Sequence, residues 1–475
     1  MSDLVKQSVE SVSAASRGAW PAAAHLVARW LERRERVDEL LETLGGSLAG
    51  AERARCQHLV YGVIRHFGRI ESALGRLIAH PPRFSTRAVL FLAGFELIDS
   101  AGSPAADGQV AKIVHHAVEQ TKSLASPAEA RLVNAVVRKL AAALATPPPP
   151  KLAPAEALAE YFSHPVWLVK RWLAQFGADG ARALLEWNQR PAPVYARWRP
   201  VSIAAAAAPS AETPASAESV AAVTPVAAPA PEAPPSWMKP TAWAGFYEIE
   251  PGRWTQVEPL LRAGKIYLQD PATRLAVDLL APQPTEIVFD ACAAPGGKSL
   301  LIADAMQHGK IVALDLPGAR IDRLAENLSR VPTTVGVALV QGDLQAGLVP
   351  ILKEHGLPAG YRAVLLDVPC SNTGVMRHRV DVKWRLQEGD FKKHPRQQLA
   401  LLAAAARLVP PGGRLVYSTC SLDPEENEHV VKAFLADRHG QWTLEEHTIS
   451  LPWTTGHDGA GAFRLRRGAS VDAGK

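Results

Sequence analysis

The stretch Ile287-Val-Phe-Asp-Ala-Cys-Ala-Ala-Pro-Gly-Gly-Lys298 constrains this chain more than any other. Ile287 to Phe289 read as a short buried strand that Asp290 ends, and a turn of small residues leads into a helix over 299–306. Strand, glycine-containing turn and helix N-terminus make the first βα unit of a nucleotide-binding sheet. The spacing G-x-G-x-x-G of dinucleotide folds is absent. Pro295 fixes one backbone dihedral, while Gly296 and Gly297 let the main chain approach a ligand with no Cβ in the way. The free N–H groups at the helix start would suit a carboxylate as well as a phosphate. Taken alone, the stretch is also compatible with an ordinary tight βα turn.

The flanking sequence narrows the choice. After a helix at Arg274-Leu-Ala-Val-Asp-Leu-Leu280, apolar runs suited to strands fall at 286–290, 310–315, 337–341, 362–367 and 413–418, with helical stretches between them. That alternation predicts a parallel sheet wrapped on both faces. Upstream, residues 16–145 read as helix after helix. Leu26, Val27, Trp30 and Leu31 recur at helical spacing, as do Leu59, Val60, Val63 and Ile64; Val110, Ile113, Val114 and Ala117; and Val133, Val136, Val137 and Leu140. Pro81-Pro82, Pro104 and Pro127 separate these helices. Arg65, Arg69, Arg83 and Arg131 could face RNA or simply be solvated.

Pro147 to Pro150 close that region. A helical piece carrying Trp167, Leu168, Trp172, Leu173 and Phe176 comes next, then a short strand in Pro193-Val-Tyr-Ala-Arg-Trp198. From 203 to 235 the chain is almost only Ala, Pro, Ser, Glu, Val and Thr, too poor in large apolar groups to offset its ordering entropy, and it reads as a disordered insert. Plausible strands resume at 245–249 and 266–268, so the insert interrupts one small α+β subdomain. The expected organisation is multi-domain α + α/β: a helical bundle over 1–147, the interrupted subdomain over 151–280, and an α/β domain over 281–475.

Bulk properties bound the function. The 475 residues are 47% hydrophobic and 21% charged, with a formal charge of +5, as expected of a globular protein with sizeable cores. The mildly basic balance permits a nucleic-acid partner without requiring one. Only Cys56, Cys292, Cys370 and Cys420 occur, at spacings matching neither a zinc site nor a secreted disulfide framework. The start of the chain has no apolar signal core, and no stretch is long enough to span a bilayer, so a reducing cytoplasm is the expected location.

Ligands of doubly wound sheets bind beyond the carboxyl ends of the strands. Asp290, Asp315 and Asp367 end the first, second and fourth expected strands, and Asp343 lies beyond the third. Asp315 could accept from both ribose hydroxyls of a nucleoside, and Asp343 could meet an adenine amino group. Each aspartate alone could be a helix cap or turn former, but four at successive strand ends are not explained by capping. Cys370, in Leu365-Leu-Asp-Val-Pro-Cys-Ser371, comes after the fourth strand, and Cys420, in Val416-Tyr-Ser-Thr-Cys-Ser421, ends the fifth. A lone cysteine is usually a small buried hydrophobe. Two facing one crevice suggest chemistry. Asp423 could cap a helix with Pro424 at its first position, bringing a helix N-terminus near Cys420, although Glu425 and Glu426 in its first turn would oppose thiolate formation.

At these residues the chain resembles the RNA cytosine-5 methyltransferase family, in its bacterial ribosomal RNA methyltransferase B branch (Sun/Fmu). Asp290 to Lys298 resembles the family's methyl-donor loop, Leu366-Asp-Val-Pro-Cys-Ser-Asn-Thr-Gly374 its fourth motif, and Ser418-Thr-Cys-Ser-Leu-Asp-Pro-Glu-Glu-Asn427 its sixth. Val380-Asp-Val-Lys-Trp384 is similar to the segment joining them. Leu59-Val-Tyr-Gly-Val-Ile-Arg65 and Arg131-Leu-Val-Asn-Ala-Val-Val-Arg138 resemble the NusB-like RNA-binding domain of that branch. The resemblance implies a NusB-like bundle, a small RNA-binding subdomain and a Rossmann-like class I methyltransferase domain.

It further implies that Cys292, Ala293, Ala294, Pro295, Gly296, Gly297, Lys298, Asp315, Asp343 and Asp367 contact S-adenosylmethionine. Cys420 would be the nucleophile, and Cys370 would assist product release. C5 of cytosine is a poor nucleophile, so a thiolate must first add at C6. A hydrogen-bonding group at N3, for which Asp367 is the candidate, would offset the developing charge. The target base must be unstacked, which suits unpaired RNA. Expected with this are 16S ribosomal RNA as substrate, a monomeric protein, no metal and no membrane. The same chemistry on tRNA and a non-catalytic RNA-binding or assembly protein are the rivals. The chain departs from the family at Ala196-Arg-Trp-Arg199, where Leu-Arg-Val-Asn is usual, at Arg377-His-Arg-Val-Asp381, and at Asp458-Gly-Ala-Gly-Ala-Phe463.

Overall fold

The computed structural model describes residues 18–46, 48–101, 106–199, 233–438 and 440–469. The Ala/Pro-rich insert therefore lies almost wholly outside the described residues. Two compact units divide the chain: Met1–Pro191 with Val375–Asp390, and Ala192–Gly374 with Phe391–Lys475.

The first unit is helical. Its main helices are Ala19–Arg33, Gly50–Arg65, Phe67–Leu77, Phe84–Ser100, Ala106–Leu124 and Ala130–Leu144, followed by Ala155–Tyr161 and Val166–Gln189. The expected apolar stripes face inward: Val133, Val136, Val137 and Leu140 are all buried, at the three-and-four spacing that one helix face requires. Val110 is an exception and is exposed. Phe84–Ser100 is apolar nearly all round, with Ala88 to Phe95 buried, because other helices surround it.

Residues 375–390 lie between two strands of the second unit in sequence yet belong to the first. Trp384 packs against this helical core, its ring 5.1 Å from that of Phe67. Its Nε1 donates to the Ile64 carbonyl at 2.8 Å, and Lys383 Nζ donates to the Arg65 carbonyl at 2.9 Å. Burial, reinforced by the Arg65 charge, pushes the Lys383 pKa well below that of a free lysine. The helical core thus recruits a segment whose sequence sits beside Cys370.

The second unit holds two sheets. In the smaller, β1 (Tyr195–Trp198), β2 (Met238–Pro240), β3 (Phe246–Ile249) and β4 (Ile266–Leu268) are antiparallel in the order β2-β3-β1-β4. Strand β1 precedes the insert and pairs with β3 and β4 beyond it, so both flanks of the insert belong to one sheet.

The larger sheet has β5 (Ile287–Ala291), β6 (Gly309–Asp315), β7 (Val335–Gln341), β8 (Ala363–Asp367), β9 (Arg414–Thr419), β10 (Trp442–Ser450) and β11 (Ala460–Arg467). Their order is β10-β11-β9-β8-β5-β6-β7. The five strands expected from sequence form its parallel part. The antiparallel pair β10 and β11, on the β9 side, was not anticipated. β10 has a half-exposed pattern, with Thr443 to His447 exposed, which masks its strand character in the sequence. The chain runs outward from β5 through β6 to β7, then returns to place β8 on the other side of β5. The crevice at that reversal, beyond the carboxyl ends of β5 and β8, is where such sheets bind ligands.

Candidate active site

Three turns meet at the carboxyl ends of β5, β8 and β9. The first runs from Cys292 to Lys298. Cys292 has a left-handed backbone, φ 62°, and Ala293 N–H donates to the Leu314 carbonyl of neighbouring β6 at 2.9 Å. Asp315 tethers the same turn, its Oδ2 accepting from Ala294 N–H at 2.8 Å and its Oδ1 from Leu316 N–H at 2.9 Å. Gly296 has φ 101°, and a Cβ there would lie 3.1 Å from Leu324 Cδ1. Both the left-handed backbone and the lack of room call for glycine. The helix after the turn spans Gly297–Ala305, two residues earlier than expected. Its first backbone bond is Leu300 N–H to Gly296 O, so the N–H groups of Gly297, Lys298 and Ser299 precede the intrahelical ladder and can serve an anion.

The four strand-end aspartates divide by environment. Asp290 is enclosed within the domain, where it accepts from the Ser299 hydroxyl. Burial pushes its pKa up to about 7, against the opposing effect of that hydroxyl. Asp315 is buried but engaged with the donor turn, and Arg320 pairs with its Oδ1 at 3.3 Å. Asp343 is exposed and caps its own turn by accepting from Gln345 N–H at 2.9 Å. Asp367 holds Lys298 Nζ at 2.6 Å through Oδ2 and the Ser418 hydroxyl at 2.7 Å through Oδ1. This pair joins the ends of β5, β8 and β9. Burial opposes the Lys298 charge, but Asp367 outweighs it and raises the Lys298 pKa.

Cys370 and Cys420 come together, with their Sγ atoms 3.1 Å apart. Cys420 is the more accessible; Cys370 is buried. Asn372, held at φ 62°, turns its side chain back over both: Nδ2 donates to the Cys370 carbonyl at 2.7 Å, and Cys420 Sγ donates to Oδ1 at 3.3 Å. The bond to Cys420 and burial, with the charges of Cys420 and Glu426, drive the Cys370 pKa well above that of a free thiol. Cys370 is therefore the sulfur that keeps its proton, and it can donate to Cys420 once Cys420 ionises. Cys292, raised by burial to about 12, is not a nucleophile at neutral pH.

The helix expected from Pro424 begins instead at Glu428, with Asn427 at its cap position. Residues 424–427 form turns, because buried polar partners claim their side chains. Asp423 accepts from the Thr373 hydroxyl at 2.6 Å, Asn427 Oδ1 accepts from Thr419, and Glu426 accepts from Ser371. No helix N-terminus lies directly behind Cys420. Sequence reasoning missed the roles of Asn372 and Ser418, and it placed Glu426 in the first turn of a helix rather than on Ser371 and Gln398. The only signal for Asn372 was its place in a Cys-Ser-Asn-Thr-Gly turn, since asparagine tolerates the left-handed region.

The departure at Ala196-Arg-Trp-Arg199 also acquires a role. Arg197 and Arg199 are buried, and both reach Asp304 on the helix after the donor turn, with Arg199 at 2.8 and 2.7 Å. These arginines brace the small sheet against the donor-turn helix.

A doubly wound sheet with a glycine turn at its switch point, aspartates ending β6 and β8 and a thiol pair beside them is the arrangement of a class I S-adenosylmethionine-dependent methyltransferase. Residues 277–460 match the model of the family described as 16S rRNA methyltransferase RsmB/F, and residues 19–142 match that of the NusB family. The chain is 32% identical over 432 residues to ribosomal RNA small subunit methyltransferase B of Sodalis glossinidius (strain morsitans), covering 89% of this chain and 90% of the relative. To the protein of the same name from Salmonella paratyphi B it is 30% identical, covering 87% and 89%. The chain belongs to this 16S rRNA methyltransferase RsmB/F family, and its methyl donor is S-adenosylmethionine. Among solved structures, PH0851 shares the fold, with a TM-score of 0.70 at 21% identity over 95% of this chain and 99% of that one. A methyltransferase homolog from Pyrococcus horikoshii gives 0.50 at 23% identity, over 66% and 100%.

Proposed function

We propose that this protein methylates C5 of a cytosine in RNA, with 16S ribosomal RNA as substrate, through a transient bond between Cys420 and C6 of the base. The observation that carries this reading is the pair of thiols 3.1 Å apart at the carboxyl ends of neighbouring strands. Methylation of an oxygen or an exocyclic nitrogen needs no thiol; C5 of a cytosine, a poor nucleophile, is activated by a thiolate adding at C6.

S-adenosylmethionine, when bound, supplies an electrophilic methyl group. The chain's groups fit it: the N–H groups of Gly297, Lys298 and Ser299 would suit its carboxylate, the Cys292 to Gly296 turn would let it approach, Asp315 would accept from the ribose hydroxyls, and Asp343 would meet the adenine amino group. Cys420, as thiolate, adds at C6 and raises electron density at C5. Cys370, keeping its proton, stabilises the thiolate beforehand. After methyl transfer a base removes the C5 proton, and the electron pair of that C–H bond re-forms the C5–C6 double bond. The C6–S bond breaks with Cys420 leaving as thiolate, a departure that Cys370 assists by donating to its sulfur. Asp367 meets the N3 and amino edge of the base, and Lys298 beside it carries positive charge to offset that developing on the ring.

In this reading residues 1–147 form a NusB-like RNA-binding domain, 151–280 a small RNA-binding subdomain and 281–475 the catalytic domain of a cytoplasmic, monomeric enzyme. Among the described residues no helix is long and apolar enough to cross a membrane. The test is trapping with labelled methyl donor and ribosomal RNA or tRNA. Cys370→Ala should accumulate a protein–RNA adduct stable on a denaturing gel, and Cys420→Ala should form none. The reverse pattern would exchange the two roles, and methyl transfer to tRNA alone would replace the substrate.

A further inference from the structure

Glu426 lies in the sixth motif and touches none of the atoms that react in the chemistry described above. Its side chain is fully buried. Oε1 accepts from Ser371 N–H at 2.9 Å and Gln398 Nε2 at 2.9 Å, and Oε2 accepts from the Ser371 hydroxyl. Three donors on two oxygens match the ionised, acceptor-only form of the group. Among the described residues no lysine or arginine pairs with it. A buried carboxylate without a cation is costly and is retained only where neighbouring donors hold it. The donors here converge on one place. Ser371 is the residue directly after Cys370, and Gln398 Nε2 also bonds the Pro369 carbonyl at 3.0 Å, on the other side of that cysteine.

We propose that Glu426 is a positioning residue of the thiol pair: its carboxylate grips both sides of the Cys370 turn and determines which of the two sulfurs keeps the proton. This rests on the reading of Cys420 as nucleophile. The negative charge opposes ionisation of Cys370, whose turn it holds, and so keeps the proton on that sulfur. The other ionisable groups around the turn are Cys420 and Asp367 at the strand ends, Tyr417 on β9 and Asp423 in the turn after it. Tyr417 is held neutral by burial and donates to the Glu426 carbonyl at 2.6 Å. Those groups are therefore neutral or negative, while Lys298, paired with Asp367 at 2.6 Å, is the cation on the Cys420 side; none of them contacts the Cys370 turn on both sides as Glu426 does.

The test compares the full-length protein with Glu426→Gln and Ser371→Ala. S-adenosylmethionine binding serves as the folding control. Limited iodoacetamide labelling from pH 6 to 9, located by mass spectrometry, reads each thiol without RNA. Wild type should label at Cys420. Glu426→Gln should raise the Cys370 share of label about tenfold and move its midpoint down by about one pH unit. Ser371→Ala, which cuts one of the links, should shift both in the same direction by less. Wild-type labelling in a Glu426→Gln protein that binds the donor overturns the proposal. If that variant fails to bind, unshifted labelling in Ser371→Ala overturns it instead. Failure to form an RNA adduct with wild type, alongside shifted labelling, sinks the cytosine reading and leaves the positioning role intact.

Discussion

Gly374 joins the two cysteine turns, and replacing it with alanine tests whether their close approach makes the site. Its φ is not in the left-handed region, so the demand for glycine is one of space. A Cβ would lie 2.5 Å from the Gly459 carbonyl oxygen and 2.8 Å from the Cys420 carbonyl oxygen. Both obstacles are backbone, so no rotamer change relieves them. The same residue donates N–H to Cys420 O at 2.9 Å and accepts from Gly459 N–H at 2.9 Å. Overpacking costs about 1–3 kcal/mol, and two weakened hydrogen bonds add up to roughly 1 kcal/mol each. The local loss is then about 3 kcal/mol, or about a hundredfold in the opening equilibrium. Hydrogen-exchange mass spectrometry of peptides covering 368–376 and 456–462 should show that acceleration, with β6 peptides unchanged. Adduct formation should slow at least about tenfold, because moving the Cys420 carbonyl carries Sγ out of line with its target. Exchange within about threefold of wild type, with normal adduct formation, would refute the packing argument.

Two further substitutions probe the supports of the donor turn. Asp304→Asn leaves the buried Arg197 and Arg199 without their carboxylate, at a cost of about 3–5 kcal/mol. Thermal unfolding should fall by at least about 6 °C, and an unchanged midpoint would show that the arginines are not balanced there. Asp290 has its pKa raised from 3.8 to about 7 by burial, so between these values the folded state holds a proton that the unfolded chain has lost. Stability from this group is therefore full below the unfolded value and is lost as pH rises through the window, by up to about 4 kcal/mol. Asp290→Asn removes that dependence, and its stability relative to wild type should improve as pH goes from 4 to 7 in denaturant titrations; parallel curves would show that Asp290 does not titrate there.

Much of the site was legible because chemistry fixed local sequence. A strand that must end in a tight, ligand-facing turn leaves an apolar run, small residues and glycines in a row, which is why Cys292 to Lys298 could be read directly. The parallel strands were legible for a related reason: burial on both faces leaves unbroken apolar segments. β10 was not, because its exposed residues carry no such run. The helix at Glu428 was placed too early, since Asp423, Pro424 and the glutamates form a good capping sequence by local rules. Buried hydroxyls and amides from distant turns override that local preference.

By itself, then, the sequence determined the parallel strand–helix alternation, the helical start and which residue types stand at the strand ends, because these arise from near-neighbour periodicity. Only the tertiary structure decided which of those ends meet. The return of β8 to the side of β5 brings Lys298 to Asp367, and the pairing of β9 with β8 brings Cys370 to Cys420, across separations of 69 and 50 residues. It also decided that residues 375–390 pack in the helical unit, and that Arg197 and Arg199 turn inward to Asp304. Such choices depend on which buried charges and donors find partners, a balance that no local window of sequence contains.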